Sequence, residues 1–239
     1  LVQLIYMMEH FDEQQQTAAQ QANNGTDISI FRSAPYVIQR LIAFPYSEGP
    51  PFVMSLFLKT NDYGLVNEAY SYVPRSTEQI IHPEKYKSRE APIEVEEPDL
   101  LGSLGNGWSE IHRNTFGEMF LRSYLESEIA PEEAAVAAAG WGGDIFTLYE
   151  GPDGALALSA MTTWDTERDA VEFFDGFRAL LQSGTESEWE ALEDAASAFI
   201  LRSDIQTTVI SLRGLDVAIF LAPTSLFPEV LDTLQSANS

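Results

Sequence analysis

The chain has 239 residues, of which 45% are hydrophobic and 11% aromatic, a composition typical of a folded globular protein rather than a disordered one. Its 37 acidic residues outnumber 13 basic residues and give a net charge of -24, which strongly disfavours binding to nucleic acid. The absence of cysteine excludes disulfides and thiolate zinc sites, and no apolar run approaches the roughly 20 residues that a membrane-spanning helix needs.

The first half of the chain is predicted to be helical, because apolar residues recur there at helical spacing. A Gln/Ala-rich continuation of the first helix reaches Gly25, a natural helix stop. Ser76 and Gln79 have the spacing of a capping box, and His82-Pro83 should end the turn that they begin. The predicted helices are Leu1 to Phe11, Pro35 to Phe44 with Phe44-Pro45-Tyr46 as its end, Phe52 to Lys59, Val66 to Tyr72 and Ser76 to Ile81.

Strands are predicted mainly after Gly140, where the apolar period changes. A turn at 151–154 joins two strands as a hairpin, and Gly214 makes a second tight connection. The predicted helices here are Phe116 to Leu125, Pro131 to Gly140, one capped by Asp165-Thr166, one after Thr185 with Trp189, Leu192 and Ala196, and Pro228 to Leu234. The predicted strands are Ile145 to Tyr149, Leu156 to Thr163, Ala198 to Arg202, Thr207 to Arg213 and Val217 to Leu221.

This order predicts an α+β fold, with a mostly helical N-terminal half followed by a mixed, largely antiparallel sheet with covering helices. Three regions are expected. Residues 1–89 form a helical region, residues 90–107 an extended connector rich in proline, glycine and acid, and residues 108–239 an α+β domain.

Two motifs are interpreted as structural. The acidic run of Glu90, Glu94, Glu96, Glu97 and Asp99 lacks the pattern of a calcium loop, so it indicates a solvated face in preference to a calcium site. The glycine-rich segment 140–144 lacks the Gly-Lys-Ser/Thr end of a phosphate-binding loop, and it is predicted to end a helix and enter a strand.

No metal ligand or cofactor-binding residue is assigned within the chain. The histidines are His10, His82 and His112, none has a second histidine at ligand spacing, and a catalytic zinc ion normally needs three protein ligands. The chain also lacks the Gly-x-Ser-x-Gly motif of a serine nucleophile.

His82 and Tyr86 are the main candidate catalytic residues, as auxiliary groups. A histidine before proline at the end of a helical turn can simply bond the last carbonyls. Alternatively, its imidazole could donate to a developing oxyanion in a peptidase cleft, a role that Tyr86 or Tyr72 could also serve. Both interpretations of His82 stay open.

The run from Ser76 to Tyr86 resembles a signature of a bacterial family of zinc-dependent, gluzincin-like metallopeptidases. The resemblance extends over about residues 35 to 175. It includes Phe44-Pro45-Tyr46, Gly49, Phe52-Val53, Gly64, Asn67, Tyr70, Pro74, Gly107-Trp108, Phe116-Gly117-Glu118, Ala138 to Asp144 and Trp164-Asp165-Thr166.

The resemblance implies two zinc histidines and a catalytic glutamate on a His-Glu-x-x-His helix, with a glutamate ligand on a later helix. These elements would lie before Leu1, so zinc is expected for the parent protein and not for this chain. The start at Leu1 rather than Met is interpreted as processing or truncation. On this hypothesis the chain is the C-terminal, non-metal portion of a secreted or cell-surface peptidase, inactive alone. It would contribute cleft walls and a sheet domain, and a peptide or protein substrate would bind through the parent.

A second hypothesis is a stand-alone acidic module that binds or scaffolds cations or basic partners. The sequence favours no oligomeric state under either hypothesis.

Overall fold

The computed structural model describes residues 10–12, 14–15, 29–96, 100–184 and 189–228. The chain divides into two compact units, Leu1–Glu90 and Ala91–Ser239. The described helices and the antiparallel sheet confirm the predicted α+β class. The helices predicted from Leu1 to Gly25 and from Pro228 to Leu234 lie largely outside the described residues.

All the regular secondary structure described in the first unit is helical. Its helices are α1 (Ser29–Ser33), α2 (Tyr36–Ser47), α3 (Gly49–Thr60), α4 (Gly64–Glu68), α5 (Glu78–Ile81) and α6 (Pro83–Ser88). Phe52 and Leu56 of α3 are its buried apolar residues among those described.

The prediction that a helix ends at Phe44-Pro45-Tyr46 was wrong, because α2 continues through Pro45 to Ser47. A proline inside a helix removes the N–H that would bond the carbonyl four residues earlier, here that of Leu41. No residue of α2 is buried, so water can solvate the freed carbonyl and the helix tolerates the proline.

The second unit is built on a seven-stranded sheet with the order β1-β2-β3-β7-β6-β5-β4, in which all neighbours are antiparallel. The strands are β1 (Ser109–Asn114), β2 (Trp141–Glu150), β3 (Leu156–Trp164), β4 (Glu190–Ala195), β5 (Ala198–Arg202), β6 (Gln206–Arg213) and β7 (Asp216–Pro223). Its α-helices are α7 (Leu101–Leu104), α8 (Gly117–Leu125), α9 (Pro131–Ala138) and α10 (Glu167–Ser183), and short 3-10 turns span Pro152–Gly154 and Thr224–Leu226.

Both faces of the sheet are covered. Helices α8, α9 and α10 pack with one face in a core that includes Leu125, Trp164 and Phe173. On the other face, Leu104 of α7 and Leu100, which directly precedes this helix, belong to a second buried cluster. The segment predicted as an extended connector thus contains a helix that packs on the sheet.

Helix α10 begins where its predicted cap lies. The Thr166 Oγ1 accepts a hydrogen bond from the backbone N–H of Asp169 at 3.2 Å, as expected for an N-cap residue. Its apolar positions recur at helical spacing, and Ala170, Phe173, Phe174 and Phe177 are buried.

The helix predicted around Trp189, Leu192 and Ala196 was wrong, because Glu190–Ala195 forms edge strand β4. Trp189 packs against the helix-side core, and the strand that follows pairs with β5. The apolar spacing in this segment fits a helix, but pairing with a neighbouring strand overrides local preference.

Candidate functional site

His82 and Tyr86 lie one helical turn apart at the start of α6. His82 ends α5 and is the N-cap residue of α6, with its Nδ1 atom 3.8 Å from the Glu84 Oε1. Its own backbone N–H donates to the carbonyl of Glu78 at 2.7 Å, which closes the α5 turn. Any residue at this position could make that backbone bond, so the structural and catalytic interpretations of the His82 imidazole both stay predictions.

The Tyr86 hydroxyl is held within the first unit. It donates to the backbone carbonyl of Tyr72 at 2.7 Å, and the Tyr86 ring packs edge-on against Phe52 with centroids 5.1 Å apart. Burial and the nearby Glu68 carboxylate raise the pKa of Tyr86, whereas Arg89 lowers it. Tyr86 therefore stays protonated at neutral pH and ties α6 to the segment after α4.

The signature run also holds the backbone at Glu90. The Ser76 Oγ accepts from the Gln79 N–H at 3.2 Å, as predicted, while the Gln79 Oε1 accepts from the Arg75 N–H at 2.7 Å. The Gln79 Nε2 donates to the Glu90 carbonyl. Through these contacts, the Ser76 to Tyr86 run has a structural role.

A buried ion pair accompanies these contacts. The Lys85 ammonium binds the carboxylate of Glu78 and lies 2.9 Å from the Glu90 Oε1. The Glu78 side chain is only 3% exposed, so Lys85 balances a charge that has little access to water.

The histidines form no metal centre in the described part of the chain. Among residues 10–12, 14–15, 29–96, 100–184 and 189–228, no histidine belongs to a group of three side chains whose ligand atoms lie close enough to share an ion. The His112 ring instead contacts Phe146, with centroids 5.6 Å apart.

The acidic run is solvated where the structure describes it. Glu90, Glu94 and Glu96 are exposed, and Glu97 and Asp99 lie outside the described residues.

The glycine-rich segment 140–144 is a structural junction. Gly140 adopts φ 76° directly after α9, and β2 begins at the next residue. The Ile93 N–H donates to the Gly142 carbonyl at 2.8 Å, and a Cβ on Gly143 would lie 2.2 Å from the Ile93 carbonyl oxygen. Only glycine therefore lets the 91–96 segment lie directly against strand β2.

Asp144 anchors the start of α8 to β2. Its carboxylate accepts from the backbone N–H groups of Phe116 at 2.7 Å and Gly117 at 2.8 Å, and from the Trp141 Nε1 at 2.8 Å. Burial raises the pKa of Asp144 above its usual 3.8, and the three hydrogen bonds oppose that rise. The hydrogen bonds that this carboxylate accepts thus hold the fold together.

A groove between α9 and α10 is a candidate binding site within the described residues. Its volume is about 510 Å³, within the size range of small-ligand pockets. The floor is apolar and made of small or aliphatic residues, namely Ile129, Val136, Ala137, Gly176 and Ala179.

Carboxylates line the rim of this groove on both sides. Glu132 and Glu133 lie in the first turn of α9, and Glu172 and Asp175 lie on α10. An apolar floor with an acidic rim is chemically suited to a cation that carries aliphatic carbon.

The two sides of the rim differ in how their charge is balanced. Glu172 accepts from the Arg168 Nε at 2.8 Å, and Asp175 lies 3.3 Å from an Arg178 guanidinium nitrogen. Across the described ranges, neither Glu132 nor Glu133 forms an ion pair with another residue. The α9 side is therefore the side that can bind an external cation.

Sequence reasoning missed this groove. In the sequence, Glu132 and Glu133 directly follow Pro131 and fit the preference of a helix N-terminus for acids, so they need no groove to account for them. The sequence does show apolar and acidic positions on both helices. These positions predict a groove only once it is known that the two helices pack together.

Comparison with known proteins shows which family the chain belongs to. The family model described as a domain of unknown function, DUF8575, matches residues 105–231. Neither a curated protein nor a solved structure matches the chain. Within the described residues, every helix is too short or too polar to cross a membrane.

Proposed function

We propose that this chain, which belongs to the DUF8575 family, is a binding module that captures cationic partners in the groove between α9 and α10. The observation that carries this proposal is the apolar floor bordered by carboxylates on both helices. The groove lies within the family-matched residues, so the proposal concerns the part of the chain that defines its family.

The charge of the whole protein supports the same conclusion. A net charge of -24 raises the local concentration of cations and accelerates their encounter with the surface. Long-range attraction alone selects no position, because it acts on the entire acidic surface. The groove adds apolar contact area at one place, and this area gives a reason for a partner to dock there.

The test measures binding of a fluorescent octalysine peptide to the full 239-residue chain by anisotropy. The variant E132Q/E133Q removes two rim charges, and the control E150Q/E193Q removes two exposed charges elsewhere. Because two exposed ion pairs contribute together about 1 kcal/mol, we expect the groove variant to bind about fivefold more weakly. The control should stay within about twofold of the native chain, and equal losses in both variants would contradict the proposal.

A second function is supported by the first unit. No residue of α2 is buried, and Tyr36, Ile38, Leu41 and Ile42 are 40–55% exposed. Such an apolar face favours contact with further protein. A non-catalytic part of a zinc-dependent peptidase would present such a face to the rest of that enzyme, and this is the second function that we propose.

The second function is tested by sequencing the coding region that precedes Leu1. A His-Glu-x-x-His motif followed by a glutamate-bearing helix is the expected result. Absence of that motif, or robust zinc-dependent hydrolysis of peptides by this chain alone, would contradict it.

A further inference from the structure

We infer that the partner of the groove is a protein segment in which lysine or arginine side chains stand beside aliphatic residues, docked on the α9 side. This inference rests on the proposed function and names its partner class. It follows from three features of the groove: the uneven balance of rim charge, the exposed aliphatic floor and the spacing of the carboxylates.

The uneven charge balance sets the side on which a cation binds. Arg168 and Arg178 already contact the α10 carboxylates, so an incoming cation must compete with them there. At Glu132 and Glu133, no ion pair with another described residue competes with an incoming cation. The partner's positive groups therefore bind along the first turn of α9.

The floor beside that turn is aliphatic and accessible. Val136 is one helical turn from Glu132 and is 53% exposed, although it lines the groove. Lysine and arginine carry long aliphatic stems that cover apolar surface while the charged end stays near water and carboxylates. A neighbouring aliphatic residue of the partner would cover the rest of Val136.

The spacing of the rim carboxylates disfavours a single small cation. Glu132 and Glu133 are consecutive in a helix and therefore point in directions that differ by about 100°. Glu172 and Asp175 lie across the groove on the other helix. Because arginines already contact those two carboxylates, Glu132 and Glu133 are left to bind separate positive groups of one segment. An isolated metal ion would leave the apolar floor uncovered.

The experiment compares two synthetic peptides of equal charge on the full chain. One contains lysine and leucine with the leucines at helical spacing, and the other has every leucine replaced by serine. The variant V136S removes part of the aliphatic floor, and E132Q/E133Q removes rim charge. A third variant, V171S, is the control, since Val171 lies on α10, is 42% exposed and is not a groove residue.

The Lys/Leu peptide should bind about tenfold more tightly than the Lys/Ser peptide, because its leucines bury additional aliphatic surface. V136S should weaken the Lys/Leu peptide by about fivefold, corresponding to roughly the burial of one or two methyl groups. It should weaken the Lys/Ser peptide less, because only the lysine stems contact Val136 there. V171S should alter neither peptide.

Two failures are distinguishable. Equal affinity of both peptides, together with weaker binding in E132Q/E133Q and no effect of V136S, would overturn the inference and leave the proposed function intact. No effect of E132Q/E133Q on either peptide would overturn both.

Discussion

Gly176 of α10 faces Ala137 of α9 so closely that a Cβ on the glycine would lie 2.7 Å from the Ala137 Cβ. The floor of the groove is therefore set by a contact between two of the smallest residues. Helix α9 contributes Ala134, Ala137 and Ala138 to the buried core, and their small size permits this close approach.

The substitution Gly176→Ala should separate the two helices. Overpacking costs typically 1–3 kcal/mol, which exceeds the gain of about 1 kcal/mol in helix propensity from glycine to alanine. We therefore expect a net loss of about 1 kcal/mol in the free energy of unfolding, measured by urea denaturation.

Gly102→Ala is the matched control for this change. Gly102 lies in α7, and no atom lies within 4 Å of the position that its Cβ would occupy. This variant should be neutral or slightly more stable. If both variants change stability in the same direction and by the same amount, the close contact at Gly176 does not restrict the packing of α9.

Asp144→Asn should destabilise the second unit. An asparagine can place only one oxygen where the carboxylate accepts from Phe116, Gly117 and Trp141, and its amide would face an N–H donor. An unsatisfied buried donor costs about 1–3 kcal/mol, and we expect a loss of that size in the free energy of unfolding at pH 7. Glu150→Gln, at an exposed position of the same strand, should change it by less than about 0.5 kcal/mol.

The pH dependence of stability should report the same carboxyl group. Since burial raises the pKa of Asp144 above 3.8 in the folded protein, the native state retains this proton to a higher pH than the unfolded state. The stability that the protonated Asp144 side chain contributes is fully present below the pKa of the unfolded state. It is lost as pH rises through the pKa of the folded state. The native protein should therefore exceed Asp144→Asn in stability by more at acidic pH than at neutral pH.

The prediction is tested by chemical denaturation of the native chain and of Asp144→Asn from acidic to neutral pH. The difference between their free energies of unfolding at each pH isolates Asp144 from the other carboxyl groups. A difference that is constant or grows with rising pH would contradict the assigned direction of the pKa shift.

Lys85→Met should destabilise the first unit strongly. It removes the ammonium that neutralises Glu78, a carboxylate that is 3% exposed, and loss of one partner of a buried pair costs about 3 kcal/mol or more. The double variant E78Q/K85M should recover part of that loss, because no unbalanced buried charge remains. Lys87→Met, in the same helix, serves as the control and should have little effect. The midpoints of thermal denaturation of the three variants are compared with that of the native chain.

Local features of the fold were predictable from the sequence. The α10 helix follows from the apolar spacing at Ala170, Phe173 and Phe177 and from the cap at Thr166, all of which act within a few residues. The strand at Glu190–Ala195 was not predictable in this way, because its conformation depends on pairing with β5.

The groove was beyond sequence reasoning for a related reason. Its carboxylates come from two helices, and the 2.7 Å approach of Gly176 to Ala137 joins positions 39 residues apart (176 − 137). Each acidic residue alone fits a solvated helix surface, and the pattern acquires meaning only from the packing of α9 on α10. His82 and Tyr86 show the converse, since their motif is visible in the sequence and the contacts that the structure gives them leave their catalytic role a prediction.

The most direct test of the central claim is chemical-shift mapping of the ¹⁵N-labelled full chain during titration with octalysine. Binding in the groove predicts that the largest shifts occur at residues 129–137 and 172–179, and that E132Q/E133Q reduces them. Shifts spread evenly over exposed acidic residues, with no maximum at these two helices, would show that cations bind the surface without selecting the groove.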